Sequence, residues 1–374
     1  LKPVKKSRPD LKIAVCGCMM QQQQVQNEIK TKYRHVDIVF GPSLIYKFPE
    51  MLFKSVLEGQ KIFDRSENPD IIEGLPVQRA KNNKAWVTVM YGCNNFCTYC
   101  IVPYLRGRER SRKPSDIIRE VKELVESGFK DITLLGQNVN SYGKNLSVPV
   151  TFAELLQEVE KIEGLERIRF MTSHPKDLSD ELIEVMAKSK KICTHLHLPL
   201  QSGSTEILKK MNRHYTKEQY LDLVVRIKEK MPNISLTTDL IVGFPGETEE
   251  DFEETLDVVR KVRYDSVYSF IYSKRTGTPA ARMENQVPED VVKERFARLL
   301  DVIHEISTEI TDAKEGEIVE ALMEEVNDHD ENLITGRLSS NAVVHCPGDK
   351  SLIGKICKVK LTESKGFYFM GEIQ

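Results

Sequence analysis

Between Trp86 and Val267 the chain alternates so regularly that few architectures can accommodate it. Strand-like runs begin near Trp86, Ile132, Ile168, His195, Ile234 and Val267, and each is followed by helical periodicity. Helix starts are well marked: Thr151-x-x-Glu154 and Thr216-x-x-Gln219 have the form of capping boxes, and Pro114 precedes Ser115 and Asp116 in a first turn. Ile117, Ile118, Val121, Leu124 and Val125 form an apolar stripe that stops at Gly128. Six βα units in a row predict an α/β fold with a parallel sheet curved toward a barrel, and such folds place their chemistry at the carboxyl ends of the strands.

The loop after the first of these strands holds Cys93, Cys97 and Cys100 in a C-x3-C-x2-C spacing. A closed 4Fe-4S site takes four thiolates, so three cysteines on one loop can fill three irons and leave the fourth open to a ligand. Cys97-Thr-Tyr-Cys100 alone would suit a redox dithiol or half of a zinc site, but either reading ignores Cys93. A second C-x-x-C or H-x3-5-H pair that would complete a zinc site is absent from the sequence.

Bulk properties bound the rest. At 374 residues the chain is long enough for two or three domains. Its formal charge of -2 points to no nucleic-acid or membrane partner by composition, so a basic surface has to be local. Eight cysteines without a signal peptide predict a reducing compartment and metal or catalytic use, and apolar runs fall well short of the ~20 residues of a membrane helix. The expectation is a cytoplasmic protein with no membrane partner.

The loop, with the aromatic Tyr99 before the last cysteine, is similar to the signature of radical S-adenosylmethionine enzymes. That resemblance implies an open (β/α)6 partial barrel over 85–312 and a 4Fe-4S cluster on Cys93, Cys97 and Cys100, with catalysis resting on those cysteines. It implies that S-adenosylmethionine chelates the open iron and takes one electron into its sulfonium. Gly136, Gln137 and Asn138, after the second strand, would contact the methionine amino group. Gln201 and Ser202, after the fourth, would meet the ribose, and Asp239, Gly243 and Pro245, around the fifth, resemble the adenosine-binding segment. His195 and His197 read as barrel-wall histidines with hydrogen-bond partners, while Ser173 and His174 are better placed near the cavity.

The segments flanking the barrel extend the resemblance to methylthiotransferases. Residues 1–75 read as part of an α/β layer, with strands at Leu11–Cys16 and Val36–Phe40 and helices at Val25–Tyr33 and Leu44–Leu57; residues 76–84 read as a polar linker. Gly17-Cys18-Met19 resembles the third cysteine of the family's N-terminal domain, which holds a second 4Fe-4S cluster through three cysteines. Cys16, on the strand, would share a face with Cys18. The chain begins at Leu1, and the expectation is that its natural start and the other two ligands lie upstream. Residues 313–374 carry short β-rich runs that suit a small OB-like barrel and resemble the TRAM domain, an RNA-binding module. That segment is acidic on balance, so RNA contact would use a local patch including Arg337 and Lys358. Arg106, Arg108, Arg110 and Arg112, beside the cysteine loop, would hold the RNA backbone, the cofactor carboxylate, or both.

Within the methylthiotransferases, Tyr91–Tyr104 and Gly136–Gly143 most resemble the MiaB group, which acts on isopentenylated adenosine beside the tRNA anticodon. The implied reaction is hydrogen abstraction from C2 by a deoxyadenosyl radical, followed by entry of a methylthio group whose sulfur comes from the second cluster. An electron donor such as a flavodoxin or ferredoxin and a sulfur donor are implied as partners. Siblings acting on threonylcarbamoyladenosine or on a ribosomal-protein aspartate, a radical enzyme of different chemistry, and an RNA-binding protein with a structural cluster are the alternatives.

Overall fold

The structure, a computed structural model, describes residues 1–65, 70–79 and 83–374. Of the linker expected at 76–84, Ala80, Lys81 and Asn82 lie outside the described residues. The chain divides into two compact units, one of Leu1–Gln78, Tyr91–Asn94 and Ile101–Arg110, the other of Arg79–Met90, Asn95–Cys100 and Ser111–Gln374.

In the first unit, Ala14–Cys16, Ile38–Phe40 and Ile62–Asp64 form a parallel three-stranded sheet in that order. The first strand is shorter than the expected Leu11–Cys16, because Asp37 accepts the Ile13 N–H at 2.8 Å in place of a ladder partner. Cys18 does not continue the strand: it opens a 3-10 turn, Cys18–Gln21, so the expected shared face with Cys16 is not formed. The helix expected at Leu44–Leu57 is divided into a 3-10 segment, Pro42–Lys47, and an α-helix, Phe48–Leu57, whose Pro49 occupies the first turn where its missing N–H costs nothing. The third strand had no counterpart among the expected elements.

In the second unit all six strands of the barrel appear: Lys84–Thr88, Asp131–Leu135, Arg167–Phe170, His195–His197, Ser235–Val242 and Ser266–Ile271. Ala85, Ile132 and Ile168 are in parallel register across the first three, and Leu196 pairs with Leu236 in the second three. A parallel bridge between Ile168 and Ile192 joins the halves, so the first and sixth strands end the arc and leave it open. Val87, Ile132, Leu134, Ile168, Leu196 and Leu240 are all buried, as strands covered by helices must be. Both expected capping boxes form, and Thr248 with Asp251 supplies a third. His195 and His197 both meet the Thr237 hydroxyl, at 3.1 and 2.9 Å, in the wall as expected.

The long helix Glu289–Asp312 leads to a closed five-stranded antiparallel-rich barrel, order Ile318–Val326, Leu333–Leu338, Val343–Pro347, Tyr368–Ile373 and Ile356–Ser364. Met323, Ile334, Val344, Cys346, Leu361 and Phe369 fill it. This barrel docks against the beginnings of the parallel strands. Arg169 pairs with Asp131 at 2.9 Å and donates to the Leu338 carbonyl, Arg167 donates to the Glu320 and Arg337 carbonyls, and Lys84 pairs with Glu324 at 2.7 Å. The strand carboxyl ends, at the other edge of the sheet, are left for chemistry.

Candidate active site

In the first unit, Gly92 precedes Cys93 with φ of +76°, and a β-carbon there would lie 2.1 Å from the Arg108 carbonyl oxygen. No side chain fits in that space or favours that conformation. The close approach lets the Cys93 N–H donate to the Gly107 carbonyl at 3.2 Å, tying the cysteine to the basic run. Glu109 accepts from the Asn94 backbone at 3.1 Å. Arg110 lies over the Tyr91 ring, 5.8 Å from its centroid, and donates to the Arg106 carbonyl. A cavity of about 350 Å³ in this unit is lined by Tyr46, Tyr91, Tyr104, Arg106 and Arg110 among others.

In the second unit, Cys97 is buried and the Arg213 Nη1 lies 3.7 Å from its sulfur. Arg213 also donates to the Tyr215 hydroxyl at 2.9 Å and the Pro199 carbonyl at 2.6 Å. The Tyr215 phenol, pushed up to about 12 by burial, stays neutral and donates its O–H to the Leu200 carbonyl at 2.7 Å. The remainder of the cysteine loop is held by the same segment. Asn212, at φ +61°, donates to the Asn95 and Phe96 carbonyls, and Thr98 N–H donates to the Met211 carbonyl. Tyr99 packs against the cluster of Ile207, Met211, Phe244 and Ala280.

Of the expected cofactor contacts, Gly136, Gln137, Asn138, Gln201, Ser202, Gly243 and Pro245 follow their strands, whereas Asp239 lies within the fifth strand, Ser235–Val242. Gly136 is pressed on Met90, whose Cγ would lie 2.5 Å from an added β-carbon. Gln137 is half-buried beside it. Asn138 donates to Asp177 at 2.8 Å and buries its Oδ1 without a partner. Gln201 takes φ of +75° and is stitched to the fifth strand through Asp239 and Ile241. The Ser202 hydroxyl, expected to face a ribose, lies 3.4 Å from the Thr255 hydroxyl and accepts the Ser204 N–H, so it serves its own turn. Asp239 Oδ1 is 3.5 Å from His197 Nε2. Gly243, at φ +77°, gives its N–H to Glu247, and Pro245 is buried next to it.

Glu247 is itself buried, bonded to Arg295 at 3.1 Å. Burial pushes its carboxyl up to about 7, although the Gly243 N–H and Arg295 oppose the rise. Sequence reasoning missed Asn212, Arg213, Glu247 and Arg295. The available signal was a polar turn, Asn212-Arg-His-Tyr215, where an amphipathic helix had just ended.

Among the cations expected to meet RNA, Arg106 and Arg110 line the first unit's cavity, and Arg108 and Lys358 are exposed. Arg112 is buried instead: it pairs with Glu120 at 2.7 Å and donates to the Thr88 carbonyl, and its backbone N–H donates to the Val89 carbonyl just past the first barrel strand. Arg337 is likewise turned inward, to Glu324 at 3.0 Å and the Asn341 carbonyl.

Among the described residues no group of three or more His, Cys, Asp and Glu side chains is placed to hold a single metal ion. An iron–sulfur cluster makes a different demand, since each thiolate binds its own iron. The donor set fits it: three thiols lie within eight residues of sequence, and a buried cation at the Cys97 sulfur favours negative charge there. Cys18 is partly buried in the first unit, apart in sequence from those three.

Residues 87–259 match the radical SAM superfamily, and residues 312–373 match the TRAM domain. The chain is 62% identical over 371 residues to the tRNA-2-methylthio-N(6)-dimethylallyladenosine synthase of Lachnoclostridium phytofermentans, covering 99% of this chain and 81% of that protein. It is 58% identical over 374 residues to the protein of the same name from Alkaliphilus oremlandii, covering 100% and 79%. A solved radical S-adenosylmethionine methyltransferase, TsrM from Kitasatospora setae, superposes with a TM-score of 0.49 at 16% identity, over 72% of this chain and 64% of that one.

Proposed function

Because the chain belongs to the radical S-adenosylmethionine enzymes and, within them, to the tRNA-2-methylthio-N(6)-dimethylallyladenosine synthases, we propose that it places a methylthio group on C2 of N6-dimethylallyladenosine beside the tRNA anticodon. Family membership brings with it a 4Fe-4S cluster and S-adenosylmethionine. In this reading Cys93, Cys97 and Cys100 hold the cluster, which when bound supplies one electron to the sulfonium of S-adenosylmethionine. An aromatic C–H has no acidic route open near neutral pH, so this chemistry suits the substrate. A flavodoxin or ferredoxin would supply the electron.

The chain's own residues position and shield. Arg213 compensates negative charge at Cys97, and Asn212 and Met211 fix the loop backbone between Asn95 and Thr98. Gly136, Gln137 and Asn138 offer polar groups to the methionine moiety, and Glu247 fixes the Gly243 turn intended for the adenosine. Arg106, Arg108, Arg110 and Lys358 would take the RNA backbone, while Arg112 and Arg337 act inside the fold. Cys18 is proposed as one ligand of a second 4Fe-4S cluster whose sulfur is replenished by a separate donor. Among the described residues no helix is long and apolar enough to cross a membrane, and we place the reaction in the cytoplasm.

The observation that carries this reading is the buried Arg213 guanidinium at the Cys97 sulfur, on a loop whose spacing suits an open cluster. Anaerobic incubation with a reductant, S-adenosylmethionine and RNA bearing N6-dimethylallyladenosine, followed by nucleoside mass spectrometry, tests it. The methylthiolated nucleoside should appear only with the dimethylallylated RNA; formation on threonylcarbamoyladenosine instead would transfer the chain to the sibling activity.

A further inference from the structure

The loops after the second and third barrel strands bury polar atoms that the protein does not satisfy. Both side-chain atoms of the Asn140 amide lack partners, as do the Ser173 Oγ and the His174 Nε2. Asn140 is 8% exposed, and Ser173 and His174 are 4% exposed. An unpaired buried polar group costs ~1–3 kcal/mol, so several together at one end of a barrel point to a ligand that completes them. The two loops are joined where these residues lie: the Val139 N–H donates to the Thr172 carbonyl at 3.3 Å, and Asn138 donates to Asp177.

His174 Nδ1 accepts the Lys176 N–H at 3.2 Å, so in the neutral ring the proton sits on Nε2, which is the unpaired donor. The ring is neutral because burial, and then the nearby Arg213 charge, hold its pKa far below the ordinary histidine range. It packs edge-on against Tyr215, 5.8 Å between centroids, and Tyr215 in turn bonds Arg213 at the Cys97 sulfur. The Asn140 amide adds a donor and an acceptor side by side.

We infer that Asn140, Ser173 and His174 form the recognition site for the purine of the substrate nucleoside, with Asn140 pairing to its N6–H and N7 edge. This deepens the proposed function and rests on it. A carboxamide matches a donor beside an acceptor, as asparagine matches adenine N6 and N7 in nucleic-acid grooves. N6 keeps one hydrogen after alkylation. C2 lies between N1 and N3, so a base gripped by N6–H and N7 leaves C2 clear for reaction, whereas a grip on N1 would cover it. The base adjoining an anticodon is in a single-stranded loop, where turning it out of the stack costs little. The adenine of S-adenosylmethionine is the other source of the same edge, but the segment intended for it follows the fifth strand, away from the second and third in the strand order.

The test compares two anticodon stem-loop RNAs, one carrying N6-dimethylallyladenosine and one its 7-deaza analogue, binding to the cluster-loaded chain. The wild type should bind the first more tightly by about 5- to 150-fold, the range a bidentate pair gives. Asn140→Ala should erase that gap and leave the affinity for S-adenosylmethionine unchanged. Asn140→Asp, equal in volume but lacking the donor, should erase it too, so the result does not depend on one variant folding. The inference is overturned if wild type does not distinguish the two RNAs, if both variants still do, or if the variants lose S-adenosylmethionine instead. Wild-type conversion of unalkylated RNA as readily as dimethylallylated RNA would overturn the proposed function, while the 7-deaza comparison would still decide this site.

Discussion

Arg213 places a guanidinium nitrogen 3.7 Å from the sulfur of Cys97, across 116 residues of sequence, and its other bonds go to a phenol and a carbonyl. A buried cation with such neutral company is costly unless an anion faces it. A thiolate bearing iron, the role proposed for Cys97, would meet that need.

Replacing Arg213 with Met should therefore weaken cluster retention by roughly 10- to 100-fold, the scale of a charge-assisted hydrogen bond of ~1.5–3 kcal/mol. Arg213→Lys, which keeps the charge but loses the fork, should recover part of it. Iron retention against a chelator, followed by the cluster's absorbance, measures both.

Gly92 has no room for a side chain: a β-carbon would stand 2.1 Å from the Arg108 carbonyl oxygen, at a φ of +76°. Gly92→Ala should lower the unfolding free energy by at least ~2 kcal/mol, from backbone strain and a clash with main chain that cannot move aside. Because Cys93 is the next residue, the iron retained after reconstitution at the cluster proposed for Cys93, Cys97 and Cys100, about four atoms for that one cluster, should fall. Urea unfolding and iron analysis check the two parts.

Glu247 makes stability depend on pH in the direction opposite to an ordinary ion-paired carboxylate. Its folded pKa of about 7 lies above the usual 4.5, so the folded state holds the proton more strongly. The stabilisation is complete below about pH 4.5 and is lost as pH rises through about 7, with an upper bound of about 3 kcal/mol. Glu247→Gln should flatten that interval relative to wild type, seen in urea midpoints at pH 5 and pH 8. A wild type whose midpoint rises relative to the variant over the same range would contradict it.

Arg169 binds Asp131 at 2.9 Å and the Leu338 carbonyl, joining the two barrels of the second unit. Asp131 would be left buried without its cation in Arg169→Ala, a loss of ~3–5 kcal/mol. Limited proteolysis should then release the five-stranded barrel faster than in wild type.

Much of this architecture was legible in the sequence because it depends on local pattern. Parallel strands are apolar runs and capping boxes are three residues apart, so the six strands and the caps at Thr151 and Thr216 were found directly. What escaped depends on distant pairing. Arg213 reaches Cys97 and Arg295 reaches Glu247 across 116 and 48 residues, and no local period announces either. The same blindness misdirected Arg112 and Arg337: a run of cations reads as a surface, yet Glu120 and Glu324 draw these two inward. Ser202 is the smaller case, a hydroxyl on the expected turn that bonds its own loop.

The central claim is that Cys93, Cys97 and Cys100 together hold one open cluster that cleaves S-adenosylmethionine. Its most direct measurement is 5′-deoxyadenosine formed anaerobically from S-adenosylmethionine and dithionite by the wild type and by each single alanine variant. The account predicts turnover in the wild type and its loss in all three variants; undiminished 5′-deoxyadenosine from any one of them would contradict it.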